Sequence, residues 1–435
     1  AGNPIVPLGG FVHIYSAFSV SMELCTFSDM RVSYPALSSK TQRGLLLYLS
    51  AGSVRWTNVE MYDCQANLGP GNYEGGYAYV KETDGAVYLD DFSLSNLTVV
   101  TGFIDVGGLL TVESYSGGAI SLRNGNLIGG VASQGGALRI RGDPTGTVFA
   151  YTVGLVQGAS CGSSAEILEG CGVHVSNTLS AALNGVVVRD MEHEFSAAGR
   201  HAAVFYKAVG SVIMDNCTMS NLNFTGGVDG DPMTGGVVLE GVGDAQIISN
   251  TFEWVHGQQG GAIGAFDVGS LDVAASRFIA CTAESGAGLH AAVEASDIRV
   301  DQDTSFENCT GAPGGATISV LHVGGGSASL TLQDTVFAGN DAVESATVLV
   351  TYVPEGSDDS TTVSLANVRF DSCEGDYMLY LNGVNGLDLD TVFVTDARGG
   401  VSAIYAHMRT YPESTDGVVS IVNTRVVGPA SDLAV

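Results

Sequence analysis

Basic residues are scarce in this sequence. Among 435 residues, 17 are Lys or Arg and 46 are Asp or Glu, so the formal net charge at pH 7 is −29. The only lysines are Lys40, Lys81 and Lys207. A surface field of this sign repels nucleic acid phosphates and anionic lipids, and it favours calcium or cationic partners. We therefore expect no binding to nucleic acid.

Long uninterrupted apolar runs are missing as well. Glycine and polar residues break every apolar stretch well short of the roughly 20 residues that a membrane-spanning helix requires, so no transmembrane segment is predicted. Hydrophobic residues nevertheless make up 45% of the chain, which excludes a disordered protein. The chain begins Ala1-Gly-Asn-Pro without a methionine, which is compatible with a processed secretory protein or with a fragment of a longer one.

The common motifs of catalysis and metal binding are absent from the sequence. Its eight cysteines include no C-x-x-C pair, which argues against zinc and thioredoxin-like redox chemistry. Its eight histidines are scattered without an H-E-x-x-H motif, and there is no G-x-S-x-G turn or Walker loop. We therefore expect no cofactor, with calcium as the alternative.

One short template recurs along the chain. An apolar residue, any residue and a second apolar residue are followed, after four more positions, by a third apolar residue. The clean copies are Val20/Met22/Phe27, Val54/Trp56/Met61, Val87/Leu89/Leu94, Ile120/Leu122/Leu127, Val148/Ala150/Leu155, Val212/Met214/Met219, Ala245/Ile247/Phe252, Leu271/Val273/Phe278, Leu330/Leu332/Phe337, Val363/Leu365/Phe370 and Val419/Ile421/Val426. The imperfect copies are Ile298/Val300/Phe306, Leu387/Leu389/Phe393 and a weaker copy near Asn184 with Val186 and Met191.

The template indicates the fold. Its alternating step has the period of a strand with one buried face. The copies start 24 to 36 residues apart, as expected for a solenoid whose loops vary in length. We predict an all-β fold, a single-stranded right-handed parallel β-helix (solenoid) of about 14 rungs, which would make a rod roughly 65 Å long. Residues 18–426 would form the helix, residues 1–17 an N-terminal cap or lead-in, and residues 427–435 a C-terminal tail.

Two four-residue motifs accompany the template in phase. An F-x-x-N motif occurs at Phe337-Ala-Gly-Asn340, and cysteine takes the Asn position in Phe278-Ile-Ala-Cys281 and Phe306-Glu-Asn-Cys309. A G-G-A-I motif occurs at 117–120 and 260–263. This alternation resembles the polymorphic outer-membrane protein repeat family, a group of pectin-lyase-like parallel β-helices. The resemblance covers most of the chain and implies a secreted β-helical protein associated with surfaces and adhesion.

The densest group of carboxylates lies in Asp190-Met-Glu192-His-Glu194. Along an unbroken strand, alternation would direct these three carboxylates to one face of the sheet. Pectate lyases and polygalacturonases of this architecture keep their acidic residues in a groove on such a face. With Arg189 beside them, these residues are the candidates for catalysis, and a solvated strand face is the competing interpretation.

Two acidic loops are candidate calcium sites. They contain Asp229 and Asp231 in one loop and Asp358 and Asp359 in the other. Carboxylate oxygens are the ligands that calcium prefers, but the sequence shows no complete calcium-binding loop at either place.

The cysteines and the N-x-S/T sequons predict extracellular modifications. Cys281 and Cys309 would lie in adjacent rungs, near the separation that a disulfide needs, and Cys161 and Cys171 bracket a loop that a disulfide could close. The alternative for Cys281 and Cys309 is that each is a small buried residue that replaces the Asn of the F-x-x-N motif. The candidate glycosylation sites are Asn96, Asn216, Asn223 and Asn308.

Two functions remain open from the sequence. The first is a non-enzymatic extracellular structural or adhesive protein, in which a rigid β-helical rod packs into a surface fibre, coat or appendage. Its partners would be copies of itself or other extracellular structural proteins, and glycans are further candidates. The alternative is a polysaccharide lyase or glycoside hydrolase that acts in a groove on the β-helix face. Fold alone does not choose between them, because β-helices support both roles.

Overall fold

The chain forms a parallel β-solenoid. We analysed a computed structural model that describes residues 11–34, 42–69, 72–82, 84–101, 104–161, 169–195, 201–226, 234–313, 315–323, 326–353, 360–398, 403–408 and 418–427. Within these ranges the regular secondary structure is strand, without an α-helix, so no helix there is long and apolar enough to span a membrane. The strands pair in parallel in about 11 stacked turns, which confirms the predicted fold class. The right-handed winding stays a prediction, in line with the strong right-handed preference of parallel connections.

The turns form two compact units, Ala1–Val212 with Gly226–Asp231, and Ile213–Thr225 with Pro232–Val435. The earlier strands are β1 (Val12–Ser28), β2 (Arg31–Tyr34), β3 (Gln42–Arg43), β4 (Leu47–Tyr62), β5 (Gln65–Leu68), β6 (Tyr73–Glu74), β7 (Ala78–Glu82), β8 (Val87–Ser95), β9 (Thr98–Thr101), β10 (Leu110–Ser114), β11 (Ala119–Ile128), β12 (Val131–Ala132), β13 (Leu138–Arg141), β14 (Val148–Gln157), β15 (Ser160–Cys161), β16 (Val173–Phe195) and β17 (Val204–Asp215).

The later strands follow in the same arrangement. They are β18 (Thr218–Gly226), β19 (Val237–Glu240), β20 (Asp244–Ile248), β21 (Thr251–His256), β22 (Ile263–Phe266), β23 (Ser270–Ala274), β24 (Arg277–Ile279), β25 (Thr282–Ala283), β26 (Leu289–Val293), β27 (Asp297–Asp301), β28 (Ser305–Glu307), β29 (Thr310–Gly311), β30 (Ile318–His322), β31 (Ser327–Ala338), β32 (Asp341–Tyr352), β33 (Ser360–Asp371), β34 (Glu374–Val384), β35 (Gly386–Thr395), β36 (Ile404–Met408), β37 (Val418–Val422) and β38 (Arg425–Val427).

Template positions align from turn to turn. In the first unit the first template position runs through Val20, Val54, Val87, Ile120, Phe149 and Ala181. In the second unit it runs through Ala245, Leu271, Ile298, Leu330, Val363, Leu387 and Val419. The prediction of about 14 rungs counted copies of the template. The structure has about 11 turns, so the predicted number of rungs is slightly too high.

The predicted register is wrong in three turns. Phe149, Tyr151 and Val156 are buried, whereas the predicted Val148 is 43% exposed. The next turn uses Ala181, Leu183 and Val188, a clean copy of the template that the weaker copy near Asn184 obscured. Near the C-terminal end Val394 is buried and Phe393 is exposed. Side chains on both faces of these strands are apolar, so alternation alone does not choose the buried face.

Stacked phenylalanines fill the core of the second unit. Phe252, Phe278, Phe306, Phe337 and Phe370 stack in order, with ring centroids 4.5 to 5.0 Å apart and planes within 9° of parallel. This spacing follows the separation of paired strands, roughly 4.7–4.9 Å. The third template position is therefore in register through these turns, including the imperfect copy that ends at Phe306.

Two corners that follow the template adopt the left-handed backbone conformation. The first corner lies four residues after the template start, for example at Asn58, where φ is 53°, and Val153, where φ is 50°. The second corner lies nine residues after it, for example at Asp63, where φ is 54°. Asn, Asp and Gly tolerate this conformation better than other residues do. The corners therefore explain why these residue types separate the strands.

The second glycine of the G-G-A-I motif faces the neighbouring turn. The first glycine, Gly260, has a φ of 79°, and a Cβ atom on the second, Gly261, would collide with the carbonyl oxygen of Ala287. The pair thus combines a left-handed corner with a close backbone approach.

We expect the phenylalanine stack to be a major source of stability. Replacing Phe306 with Ala should lower the free energy of unfolding by about 3–5 kcal/mol, because it removes a buried ring that has a stacked neighbour on each side. Phe393→Ala is the control, since its side chain is exposed, and it should cost about 1 kcal/mol or less. Denaturant titration measures both values, and an equal cost would contradict the observed register.

We also expect strain at Val153, a β-branched residue in a left-handed corner. Val153→Asn should raise the free energy of unfolding by about 1 kcal/mol, because Asn adopts this conformation at lower cost. Val148→Asn is the matched control, as this valine is similarly exposed but lies in a strand with an ordinary backbone, and there Asn should be destabilising. If both variants lose stability in thermal unfolding, the left-handed conformation of Val153 is contradicted.

Candidate functional site

The predicted catalytic group at 189–194 does not share one strand face. Asp190 has a φ of 57°, so the backbone turns a corner there within β16. Its Oδ2 accepts a hydrogen bond from Gln157 Nε2 at 2.8 Å and lies 3.6 Å from Arg189 Nε. Glu192, beyond the corner, is exposed, and the Glu194 side chain lies outside the described residues. The expectation of an unbroken strand is therefore wrong, because a left-handed residue interrupts the alternation.

The proposed calcium ligands Asp229, Asp231, Asp358 and Asp359 also lie outside the described residues. Among the residues that the structure does describe, no group of three His, Cys, Asp or Glu side chains could hold a metal ion. Calcium at the two loops stays a prediction.

The cysteines that occupy the Asn position of the F-x-x-N motif act as hydrogen-bond donors. Cys309 Sγ donates to the carbonyl oxygen of Phe278 in the preceding turn at 3.5 Å, and Asn340 Nδ2 donates to that of Phe306 at 3.0 Å. Cys373 Sγ makes the same contact with Phe337 at 3.5 Å. The interpretation of these cysteines as buried replacements for Asn is confirmed.

The disulfide predicted between Cys281 and Cys309 is not formed, because both residues are free thiols. Burial, together with the hydrogen bond to Cys309, raises the pKa of the Cys281 thiol, which disfavours the thiolate needed for oxidation. Cys171 is disulfide-bonded, whereas the side chain of Cys161 lies outside the described residues. The pairing of Cys161 with Cys171 therefore stays a prediction.

The four sequon asparagines are exposed. Asn96, Asn216 and Asn308 each occupy a left-handed corner, with φ values of 52° to 57°, and Asn223 lies in β18. At each of the three corners the next residue is buried and the following threonine begins a strand. Turn chemistry alone thus produces the sequon at these positions, and their glycosylation stays a prediction.

A charged row that the sequence reasoning missed lies in the first unit. We call the aligned segments 47–51, 78–82, 110–114 and 138–141 the first sheet. Across it, Lys81 pairs in register with Glu113, and Glu113 pairs with Arg141. Opposite charges alternate along this row, so each charge has a neighbour of the other sign.

Glu113 is the centre of a buried network. Its carboxylate accepts hydrogen bonds from Tyr79 Oη and, at 2.5 Å, from Tyr115 Oη. Arg139 Nη1 lies 3.6 Å from Glu113 Oε1, and the Glu113 side chain is only 2% exposed. Burial and the neighbouring Glu113 raise the pKa of Tyr115 to about 12, and they raise the pKa of Tyr79 as well. Both phenols therefore remain protonated donors. The bond from Tyr79 joins Glu113 to the preceding turn, and Arg139 lies in the following turn.

A second buried carboxylate lies two turns further along. Glu169 Oε1 is 2.6 Å from Lys207 Nζ, and Glu169 Oε2 is 3.8 Å from His174 Nε2. Burial, with the positive charges of Arg139 and Lys207, lowers the pKa of His174 to about 3. His174 is therefore neutral near pH 7, and its contact with Glu169 is not an ion pair.

The two clusters contain residue types that carry out acid–base chemistry, but their carboxylates are too buried for a substrate to reach. Perturbed carboxyl, phenol and imidazole groups often mark functional sites, although structural networks shift pKa values in the same way. Glu113 and Glu169 already have cationic partners, and their side chains are 2% and 8% exposed. The geometry is therefore that of a network that stabilises neighbouring turns. Aligning the turns by their paired glycines would have shown the alternating charges of Lys81, Glu113 and Arg141 in the sequence.

The fold defines the chain as a parallel β-solenoid protein. No protein-family model matches its sequence, and no curated protein is significantly similar to it.

We expect stability to fall in acid because of His174. The pKa of this group is about 3 in the folded protein and 6.5 ordinarily, so between these values the unfolded state binds a proton that the folded state does not. Unfolding free energy should therefore decrease as the pH falls from 6.5 towards 3, and His174→Gln should flatten that slope. His407→Gln, at an exposed position, is the control. Identical slopes for the wild type and His174→Gln, in urea titrations at several pH values, would contradict this assignment.

Proposed function

We propose that the protein is a non-enzymatic structural or adhesive protein of the extracellular surface, whose stacked turns pack into a fibre, coat or appendage. The observation that carries the proposal is the repetition of inward residues for stacking: the phenylalanines, the Cys and Asn donors and the left-handed corners recur turn after turn. A scaffold that repeats turn after turn offers an extended regular surface for packing against identical or similar chains. The resemblance of the F-x-x-N and G-G-A-I motifs to the polymorphic outer-membrane protein repeats supports the same role.

The buried carboxylates support this function over catalysis. Glu113 and Glu169 are paired with Arg139 and Lys207, and their hydrogen bonds join neighbouring turns. A general acid or base has to reach the proton that it transfers, and these side chains are enclosed. Asp190 is likewise engaged with Gln157 at a corner.

A second candidate function is a polysaccharide lyase or glycoside hydrolase. The observation in its favour is the contact of Tyr79 and Tyr115 with Glu113 on the outer side of the first sheet, where a carboxylate and two phenols meet. The Glu113 side chain is only 2% exposed, so a local movement would be required before a glycan could reach it. The residues of the sequence hypothesis, Asp190 and Glu192, would be a separate site.

Glu113 separates the two functions. In the structural role, Glu113→Ala should lower the free energy of unfolding by about 3–5 kcal/mol, because it leaves Arg139 without its buried partner. Glu192→Ala is the control at an exposed carboxylate and should cost less than about 0.5 kcal/mol. The wild type should cleave no member of a panel of acidic and neutral glycans, with or without calcium. Cleavage that Glu113→Gln or Glu192→Gln abolishes without loss of stability would establish the enzymatic function.

The structural role has a direct test in material from the native source. Electron microscopy should show the protein within an ordered fibre, coat or sheet. Isolated monomers throughout such material would contradict the structural role.

A further inference from the structure

Three tyrosine rings meet on an outer face of the second unit. Tyr380 in β34 is the register partner of Tyr405 in β36, and their rings are stacked, with centroids 4.9 Å apart and planes 12° from parallel. The ring of Tyr377 is tilted against both, at 5.1 Å from Tyr380 and 5.6 Å from Tyr405. Leu379 and Leu381, on either side of Tyr380, are buried, so strand alternation directs Tyr380 away from the core.

The hydroxyl groups of the stacked pair take no part in holding the fold together. Within the described residues, neither Tyr380 nor Tyr405 has a hydrogen-bond partner for its hydroxyl. Two buried tyrosines of the first unit differ, since Tyr79 donates to a buried carboxylate and Tyr151 donates to the carbonyl oxygen of Gly125 at 2.6 Å. Stacking needs only a ring, and the core stack of the second unit consists of phenylalanine. The outer pair therefore carries two phenol groups that the packing does not use.

The outer pair is also accessible from solvent. Tyr405 is 40% exposed, and Tyr380 is half-buried. The first unit contains a second stacked pair, Tyr48 and Tyr79, with centroids 5.5 Å apart and planes 10° from parallel, but these residues are only 2% and 0% exposed. The chain thus has one stacked pair of phenols that a dissolved oxidant can reach and a similar pair that it cannot.

Stacked and accessible phenols have the geometry for oxidative coupling. A one-electron oxidant removes one electron and one proton from each phenol and leaves two phenoxyl radicals. The radicals join through ring carbons next to the hydroxyl-bearing carbons, and each joined carbon then loses its hydrogen as a proton while the phenol oxygen regains one. In sum, two phenols lose two hydrogen atoms and form one carbon–carbon bond, and hydrogen peroxide, as the terminal oxidant, is reduced to two water molecules.

We propose that Tyr380 and Tyr405 form a dityrosine cross-link within one chain when a peroxidase-type oxidant acts on the protein. The rings already face each other, so their coupling needs no encounter with another molecule. The bond would tie β36 to β34 and stabilise the folded chain, because it limits the freedom of the unfolded one. This modification goes beyond the proposed structural function, since it requires no assembly, and its absence would leave that function untouched.

The experiment treats the dilute purified protein with a haem peroxidase and a limited amount of hydrogen peroxide, and it follows dityrosine fluorescence. Trypsin, which cleaves after Lys and Arg, then places Tyr380 in peptide 370–398 and Tyr405 in peptide 399–409. We expect mass spectrometry to find these two peptides joined, with a combined mass lower by two hydrogen atoms. The yield per chain should not change on dilution, because both rings belong to one molecule.

Phenylalanine variants assign the coupled pair, because they keep the ring and remove the hydroxyl. Tyr405→Phe should abolish the joined peptides, and Tyr380→Phe should lower their yield about tenfold or more, whereas Tyr377→Phe should retain them. Tyr88→Phe is the matched control at a tyrosine that is 51% exposed and has no ring contact among the described residues, and it should couple like the parent. After oxidation, the parent should unfold at a higher temperature than Tyr405→Phe, although the two should unfold alike before it.

Four results would overturn the proposal. The first is the absence of the joined peptides under conditions that couple exposed tyrosines of separate chains. The second is a yield that falls on dilution, since the coupling would then occur between molecules. The third is an unchanged yield in the folded Tyr380→Phe protein, which would assign the bond to Tyr377. The fourth is equal coupling of the enclosed pair, Tyr48 and Tyr79, which would contradict the argument from access.

Discussion

Parallel pairing in register is the constraint on which the rest of this structure depends. Each turn hydrogen-bonds to the next, so a given position of the template always lies over the same position one strand spacing away. Identical apolar side chains therefore stack, as the phenylalanines do at 4.5 to 5.0 Å. Identical charges would repel at the same distance, and the row Lys81, Glu113 and Arg141 alternates in sign.

Pairing in register also fixes the positions of the corners, where the backbone conformation rather than side-chain stacking selects the residue type. A left-handed backbone at these positions favours Asn, Asp and Gly, and Leu24, Val153 and Trp254 are examples of bulky exceptions. Inside the adjoining turn, a donor must satisfy the carbonyl oxygen of the preceding turn. Cys309 and Asn340 perform this role interchangeably, because a thiol and an amide can both donate there. The cysteine content of this protein thus reflects hydrogen bonding within the stack at these positions rather than covalent cross-links.

Charge is distributed unequally between enclosed and open surfaces of the first unit. The enclosed carboxylates of Glu113 and Glu169 are neutralised by Arg139 and Lys207, respectively. Glu113 and Glu169 therefore have a structural role. Arg55 and Arg123, by contrast, have exposed side chains in the same unit, and Arg123 has the Asp90 carboxylate on the neighbouring strand as its register partner.

The sequence by itself determined the all-β solenoid and the shared Cys and Asn position, because these follow from a spacing that every turn repeats. It did not determine the buried face where both faces are apolar, as at Val148 and Phe393, since period-two alternation is then ambiguous. The conformation of Asp190, the free thiols of Cys281 and Cys309 and the burial of Glu113 were decided by tertiary structure alone. Each of them depends on contacts between turns some 30 residues apart, and the identity of the residues does not encode which of their atoms will meet.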